Sequence, residues 1–215
     1  MEKDQALDGV TRAIVDCMPL DETKGFVTEA LNADAAPLDI VDAVSAGLET
    51  VGARYEAGEY FLMELTLAGS TAAGIMDLIK PLFDEADIPL KGKVVFGTVA
   101  GDLHYIGKDV VIAMLRSQRF DVIDLGVDVS VETFVSAVKE EKPDVLALSG
   151  LLTIVKEEMK QVVDTLRTEG LRETVKVMIG GRAVSQQFAD EIGADAFGAT
   201  AVEGVTLCSS WVEGD

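Results

Sequence analysis

Apolar positions in the first third of the chain recur every three to four residues, the spacing of one buried helix face. In "DQALDGVTRAIVDC" they fall at Ala6, Val10, Ile14 and Cys17. "DETKGFVTEALNADAAP" reads as a second helix, capped by Asp21 and closed by Pro37. "PLDIVDAVSAGLETVGARYEAGEY" is a third and "LMELTLAGSTAAGIMDLIKPLF" a fourth. Short connections between four amphipathic helices predict an antiparallel bundle over residues 1–88. Strand-type alternation is missing from this part of the sequence.

After Leu90 the period changes. "KVVFGTV", "DVIDLG", "DVLALSG", "VKVMIGG" and "ADAFGA" are short runs, mostly of β-branched and other apolar residues, of the kind buried on both faces of a sheet. Helical segments separate them: "KDVVIAMLRSQRF", "SVETFVSAVKEEK", "IVKEEMKQVVDTLRTEG" and "SQQFADEIG", with "AVEGVTLCSSWV" last. The alternation predicts an α/β unit over residues 89–215. Its expected form is a five-stranded, parallel, doubly wound sheet of flavodoxin-like order 2-1-3-4-5. Ligands in such sheets sit beyond the carboxyl ends of the strands, where the order switches between the first and the third. The loops expected there are "AGDLHYIG", "SGLLT" and "GGRAV".

Charge narrows the function classes. The chain of 215 residues has 38 acidic against 18 basic side chains, a net charge of −20, and residues 1–88 hold 18 of the acids and 5 of the bases. Such a surface suits neither nucleic acid nor an anionic membrane. The N-terminus has no signal-peptide pattern, and no uninterrupted apolar stretch approaches a membrane span, so the expected setting is cytoplasmic. Cys17 and Cys208 share no motif, which argues against a disulfide framework or a thiolate metal site.

Candidate chemistry concentrates in the first loop. His104 is the only histidine of the chain. Asp102, two residues before it, can hold one ring nitrogen and leave the other for a metal, since a carboxylate fixes the tautomer and raises the basicity of the ligand. One protein ligand cannot build a structural metal site, so the metal would arrive already coordinated in a macrocycle. No Ser/His/Asp set, P-loop or carboxylate pair suggests separate catalytic machinery.

The loops together carry a resemblance. Asp102, His104 and Gly107, then Ser149 and Leu151, then Gly180 and Gly181 match the Asp-x-His-x-x-Gly, Ser-x-Leu and Gly-Gly elements of cobalamin-binding domains. The closest pattern is that of the corrinoid proteins of methanol and methylamine methyltransferase systems and of methionine synthase. "YEAGEYFLMELTLAG" is similar to the family's helical cap segment, with Phe61 and Leu65 as candidates to shield the upper face of the corrin.

The resemblance implies base-off cobalamin with His104 as the lower axial ligand of cobalt and Asp102 tuning the imidazole. Gly101, Leu103, Tyr105, Ile106 and Gly107 would border the corrin. Ser149, Leu151 and Thr153 would line the place of the displaced benzimidazole, and Gly180 and Gly181 would let the backbone approach the nucleotide tail. The implied function is a methyl carrier, loaded on cob(I)alamin by a substrate:corrinoid methyltransferase and unloaded by a corrinoid:pterin or corrinoid:thiol methyltransferase. A reductive activase would be a further partner. The alternative is a cobalamin-based sensor module. Four positions depart from the family pattern: Tyr105 stands where Asp is common, Val155 where methionine synthase has a relay serine, Arg182 where a small residue follows the double glycine, and Met63 where proline is usual.

Overall fold

The computed structural model describes residues 2–82 and 90–214. The division expected between residues 88 and 89 lies outside these described residues. By packing, the chain separates into two compact units, Met1–Pro89 with Ala113–Arg119, and Leu90–Ile112 with Phe120–Asp215.

The first unit holds α1 (Lys3–Val15), α2 (Leu20–Asn32), α3 (Pro37–Glu56) and α4 (Leu62–Ile79). Helix α1 buries Ala6, Val10, Ala13 and Ile14, and α3 buries Ile40, Val44, Leu48 and Val51, both at helical spacing. Each large aliphatic side chain removed from water contributes about 1.5–3 kcal/mol. The two helices approach closely at Gly47, where a Cβ would stand 2.7 Å from the Cβ of Ile14.

Two expected helix boundaries are corrected. Helix α2 begins at Leu20, so Asp21 lies in its first turn, where a carboxylate favours the helix dipole, and does not cap it. The same helix ends at Asn32, and Asp34 turns the chain with φ of 60°. Pro37 does not close α2 but starts α3, as the third segment is read, since a first-turn position needs no N–H, and the Asp39 carboxylate accepts the Ala36 N–H at 2.7 Å.

Helix α4 is strongly apolar but interrupted by Glu64 and Asp77, in keeping with the expectation that no uninterrupted apolar stretch approaches a membrane span. Its 18 residues are long and apolar enough, by length and composition, to cross a bilayer. Within its unit the helix buries Leu65, Ala68, Ala72, Ile75 and Ile79, the packing of a core helix.

The second unit is built on β1 (Gly92–Thr98), β2 (Phe120–Asp124), β3 (Val145–Ser149), β4 (Lys176–Gly180) and β5 (Ala196–Gly198). Its helices are α5 (Ile106–Ser117), which belongs to this unit as far as Ile112, α6 (Val131–Glu141), α7 (Val155–Thr168), α8 (Gln186–Ile192) and α9 (Ala201–Glu213). All strand pairs are parallel and the order is β2-β1-β3-β4-β5, as the alternation predicts. Side-chain caps hold three of the helix starts: Ser130, Ser185 and Thr200 accept the N–H of Thr133, Phe188 and Glu203. Helix α5 starts at Ile106 and stops at Ser117, so Phe120, expected at its end, opens β2.

The two faces of the sheet are filled differently. On one, Val95, Leu146, Leu148, Val177 and Ile179 pack into a continuous core with α6, α7 and α8. The other face presents Phe96, Ala147, Met178, Gly180 and Gly198, three of them too small to fill the layer.

Candidate cofactor-binding site

Strand register brings the expected loops together. Thr98 pairs with Ser149, Ser149 with Gly180, and Gly180 with Gly198, so four strands end on one row. The loop from Val99 to Tyr105 leaves this row and is braced at several points. Thr98 Oγ1 donates to the His104 carbonyl at 2.9 Å. Asp128, in the loop after β2, accepts the Gly101 N–H at 2.7 Å and donates its own N–H to the Asp102 carbonyl at 3.0 Å.

Asp102 is the hub. Its side chain is fully buried, whereas that of His104 is 56% exposed. Oδ1 accepts the His104 backbone N–H at 3.0 Å and faces ring Nδ1 at 2.6 Å. Oδ2 accepts the N–H groups of Leu151 at 2.5 Å and Leu152 at 3.2 Å. Burial, the largest single influence, raises the pKa of this carboxyl. The hydrogen bonds from Leu151, His104 and Leu152 together outweigh it and bring the value down to about 2. An ionised carboxylate only accepts, so Nδ1 carries the ring proton of the pair. In the neutral ring Nε2 then holds the free lone pair, on the exposed side chain.

The partners of Oδ2 account for Val155. That residue is fully buried at the start of α7 and offers no hydroxyl; main-chain amides of the preceding turn hold the carboxylate instead. Further support comes from Lys108, whose 2%-exposed side chain contacts both oxygens of Asp124 at 2.7 and 2.8 Å. Asp124 accepts the Gly126 N–H at 2.9 Å, and the Gly126 carbonyl accepts the Thr98 N–H. A chain of bonds thus links the buried cation to the histidine loop.

Around His104 lies a collar of exposed apolar side chains: Leu103, Tyr105, Ile106, Leu151, Leu152 and Ile154. So many apolar side chains left in water on the loops that hold Asp102 and His104 suit a binding surface. Gly107 leaves its surroundings open, since a Cβ there would meet nothing within 4 Å. Gly181 also meets a demand of packing. Its φ is +117° and a Cβ would overlap the Gly150 carbonyl oxygen, so it locks the loops after β3 and β4 together. Thr153 and Arg182 are exposed on those two loops.

Behind the row, on the sparsely filled face, is a slot of about 40 Å³ lined by Phe96, Val111, Ala147, Met178, Gly180 and Gly198, with Gly204 of α9. Phe96, Met178, Gly198 and Gly204 escaped the sequence reading, as did Thr98 and Asp128. The one signal for the slot was a glycine inside a helical pattern, at 204, opposite another at the end of a strand, at 198. Phe61 and Leu65 belong to the helical unit. Phe61 is 69% exposed at the start of α4, beside exposed Leu62 and Met63, while Leu65 is 4% exposed and part of the core.

Among the described residues no group of three or more His, Cys, Asp or Glu could hold a metal ion. A metal at Nε2 must therefore bring its other ligands with it. The residues present fit a corrinoid: one imidazole of fixed tautomer, an apolar collar for a flat macrocycle, and a slot that side chains would close if Gly180 and Gly198 had them.

Comparison with known proteins agrees. Residues 92–206 match the B12 binding domain family, and residues 6–80 match a second B12 binding domain family. Trimethylamine corrinoid protein 1 of Methanosarcina acetivorans is 40% identical over 83% of this chain and 84% of its own. A crystal structure of a cobalamin-binding protein from Desulfitobacterium hafniense superposes with a TM-score of 0.77 at 36% identity, covering 96% of this chain and 98% of that one. A chain of the methanol:cobalamin methyltransferase complex of Methanosarcina barkeri gives a TM-score of 0.83 at 29% identity, over 100% of this chain and 82% of that one. On the braced Asp102–His104 loop, the sheet that positions it and these matches, the chain belongs to the family of B12-binding corrinoid proteins.

Proposed function

We propose that this protein is a methyl carrier that holds a cobalamin with His104 Nε2 as the lower axial ligand of cobalt. The observation that carries the reading is the buried, ionised Asp102 set against Nδ1 of the only histidine. When bound, the cobalt supplies the chemistry of accepting and releasing a methyl group. The chain's own residues do the rest. Asp102 keeps the ring proton on Nδ1 and directs the Nε2 lone pair outward. The Leu151 and Leu152 amides hold Asp102, and Thr98 holds the His104 backbone. The collar excludes water around the ligand, and the slot beside Gly180, Gly198 and Ser149 takes the displaced nucleotide base.

The reading includes a substrate:corrinoid methyltransferase as the loading partner and a corrinoid:pterin or corrinoid:thiol methyltransferase as the unloading one. A reductive activase restores carriers that have lost an electron, and the cycle runs in the cytoplasm. The two working units divide at residues 88 and 89. Support comes from the names of the relatives, which are corrinoid proteins of methylamine systems and a methanol:cobalamin complex.

The test is reconstitution with hydroxocobalamin, followed by absorption spectroscopy of the wild type and His104→Ala. The expected result is a base-off, histidine-ligated spectrum that changes in the variant. Wild type that leaves the free cofactor spectrum unchanged, or a variant indistinguishable from it, would remove the reading.

A further inference from the structure

The slot on the sparse face holds one or two waters at about 40 Å³, not a planar two-ring base. Something in its wall must move for a base to enter. Ala147, Gly180, Gly198 and Gly204 have no side-chain torsion to turn, and Val111 is stiff at χ1. Leu148 and Ile179 pack into the core on the opposite face, and Thr200 is held as the cap of α9. Phe96 is a buried aromatic side chain whose torsions can only swing a whole ring. Met178 differs from all of these. It is 4% exposed on β4, its Sδ lies 3.4 Å from where a Cβ of Gly198 would stand, and its Cε lies 3.6 Å from the corresponding point of Gly204. The thioether thus lies against both glycines, whose backbones also meet, with the Gly204 Cα 3.2 Å from where a Cβ of Gly198 would stand. An unbranched chain with three rotatable bonds can vacate that position at little cost, which a β-branched residue cannot.

We propose that Met178 is the adjustable wall of this slot and the residue that sets which nucleotide bases it admits. The inference rests on the corrinoid reading above and adds a specificity determinant to it. With the thioether turned aside, the volume it occupies beside Gly198 and Gly204 joins the slot and makes room for a benzimidazole. A smaller phenolic base needs less of that displacement, and a corrinoid without a base needs none.

The experiment measures dissociation constants by absorbance for cobinamide, a phenolic-base corrinoid and cobalamin, with wild type, Met178→Ile and Met178→Ala. Met178→Ile keeps the volume and suits a strand but fixes the wall. It is expected to weaken cobalamin roughly tenfold or more, to weaken the phenolic corrinoid less, and to leave cobinamide unchanged. Met178→Ala, with no thioether to displace, is expected to bind cobalamin more tightly than Met178→Ile does. Fluorescence of Trp211 on α9, the only tryptophan, checks that each variant is folded. Equal cobalamin binding by Met178→Ile and wild type would overturn the proposal, as would a parallel loss of cobinamide. Wild type that binds none of the three corrinoids would instead remove the underlying cofactor reading.

Discussion

Replacing Asp102 by Asn keeps the shape of the side chain and removes its charge, so the consequence can be worked from the hydrogen bonds. The carboxylate accepts from His104 N and Nδ1 on one oxygen and from Leu151 N and Leu152 N on the other. An amide has one oxygen and one NH₂, so either orientation sets an NH₂ against donors. With NH₂ toward His104, its backbone N–H loses its acceptor and Nδ1 must become one, which moves the ring proton to Nε2. With NH₂ toward the β3–α7 turn, the Leu151 and Leu152 amides lose theirs. A buried donor left without a partner costs about 1–3 kcal/mol, so after local relaxation Asp102→Asn should lose about 2–4 kcal/mol. The loss should depend on pH. The Asp102 pKa falls from 3.8 in the unfolded chain to about 2 in the fold, so its contribution is complete above pH 4 and disappears as pH falls through about 2. That part amounts to about 1–2 kcal/mol once solvent near the exposed imidazole is allowed for. Urea unfolding followed by Trp211 fluorescence at pH 7, 4 and 2.5 is the assay. A gap between wild type and variant below about 0.5 kcal/mol at pH 7, or a gap that does not narrow toward pH 2.5, would refute the reasoning.

Three further outcomes follow from other contacts. Gly181→Ala should destabilise the sheet unit by about 3 kcal/mol or more, because φ is +117° and the new Cβ meets the Gly150 carbonyl; a thermal midpoint equal to wild type would contradict this. Lys108→Met should cost about 1–3 kcal/mol, below the range for fully buried pairs because Asp124 is 33% exposed. Adding Asp124→Leu should recover part of that, and a double variant weaker than both singles combined would count against the pair. The Cys208 thiol, pushed up to about 12 by burial, should resist Ellman's reagent at pH 8 in the native protein and react fully in denaturant, where both cysteines of the chain are titrated. Rapid native labelling of Cys208 would show that α9 opens readily.

The fold was legible where burial alone dictates the pattern. The run of Val94, Val95 and Phe96, and that of Leu146, Ala147 and Leu148, can only be strands covered on both faces, and the alternation with helices then implies the strand order. The meeting of the loops after β1, β3 and β4 followed from that order. Local signals misled at chain reversals. Pro37 serves a helix start as readily as a helix stop, and the left-handed turn at Asp34 rests on an aspartate with no glycine to announce it. The supports of the site were not legible because they are tertiary. The amides of Leu151 and Leu152 carry no side-chain signal, and Asp128 lies 26 residues from Asp102 in sequence while bracing its loop from another. The slot was hidden for a related reason: Met178 reads as an ordinary core residue until Gly198 and Gly204 are seen to face it.

Because His104 is the only histidine, the axial ligand can be labelled without ambiguity. Protein grown with ¹⁵N-imidazole histidine, loaded with unlabelled cobalamin and reduced to the paramagnetic cobalt(II) state, is examined by electron paramagnetic resonance. Ligation by His104 requires that the three-line nitrogen splitting seen with ordinary histidine becomes two-line with the label. A three-line pattern unchanged by the label would put the cofactor's own base there and contradict the account at its centre.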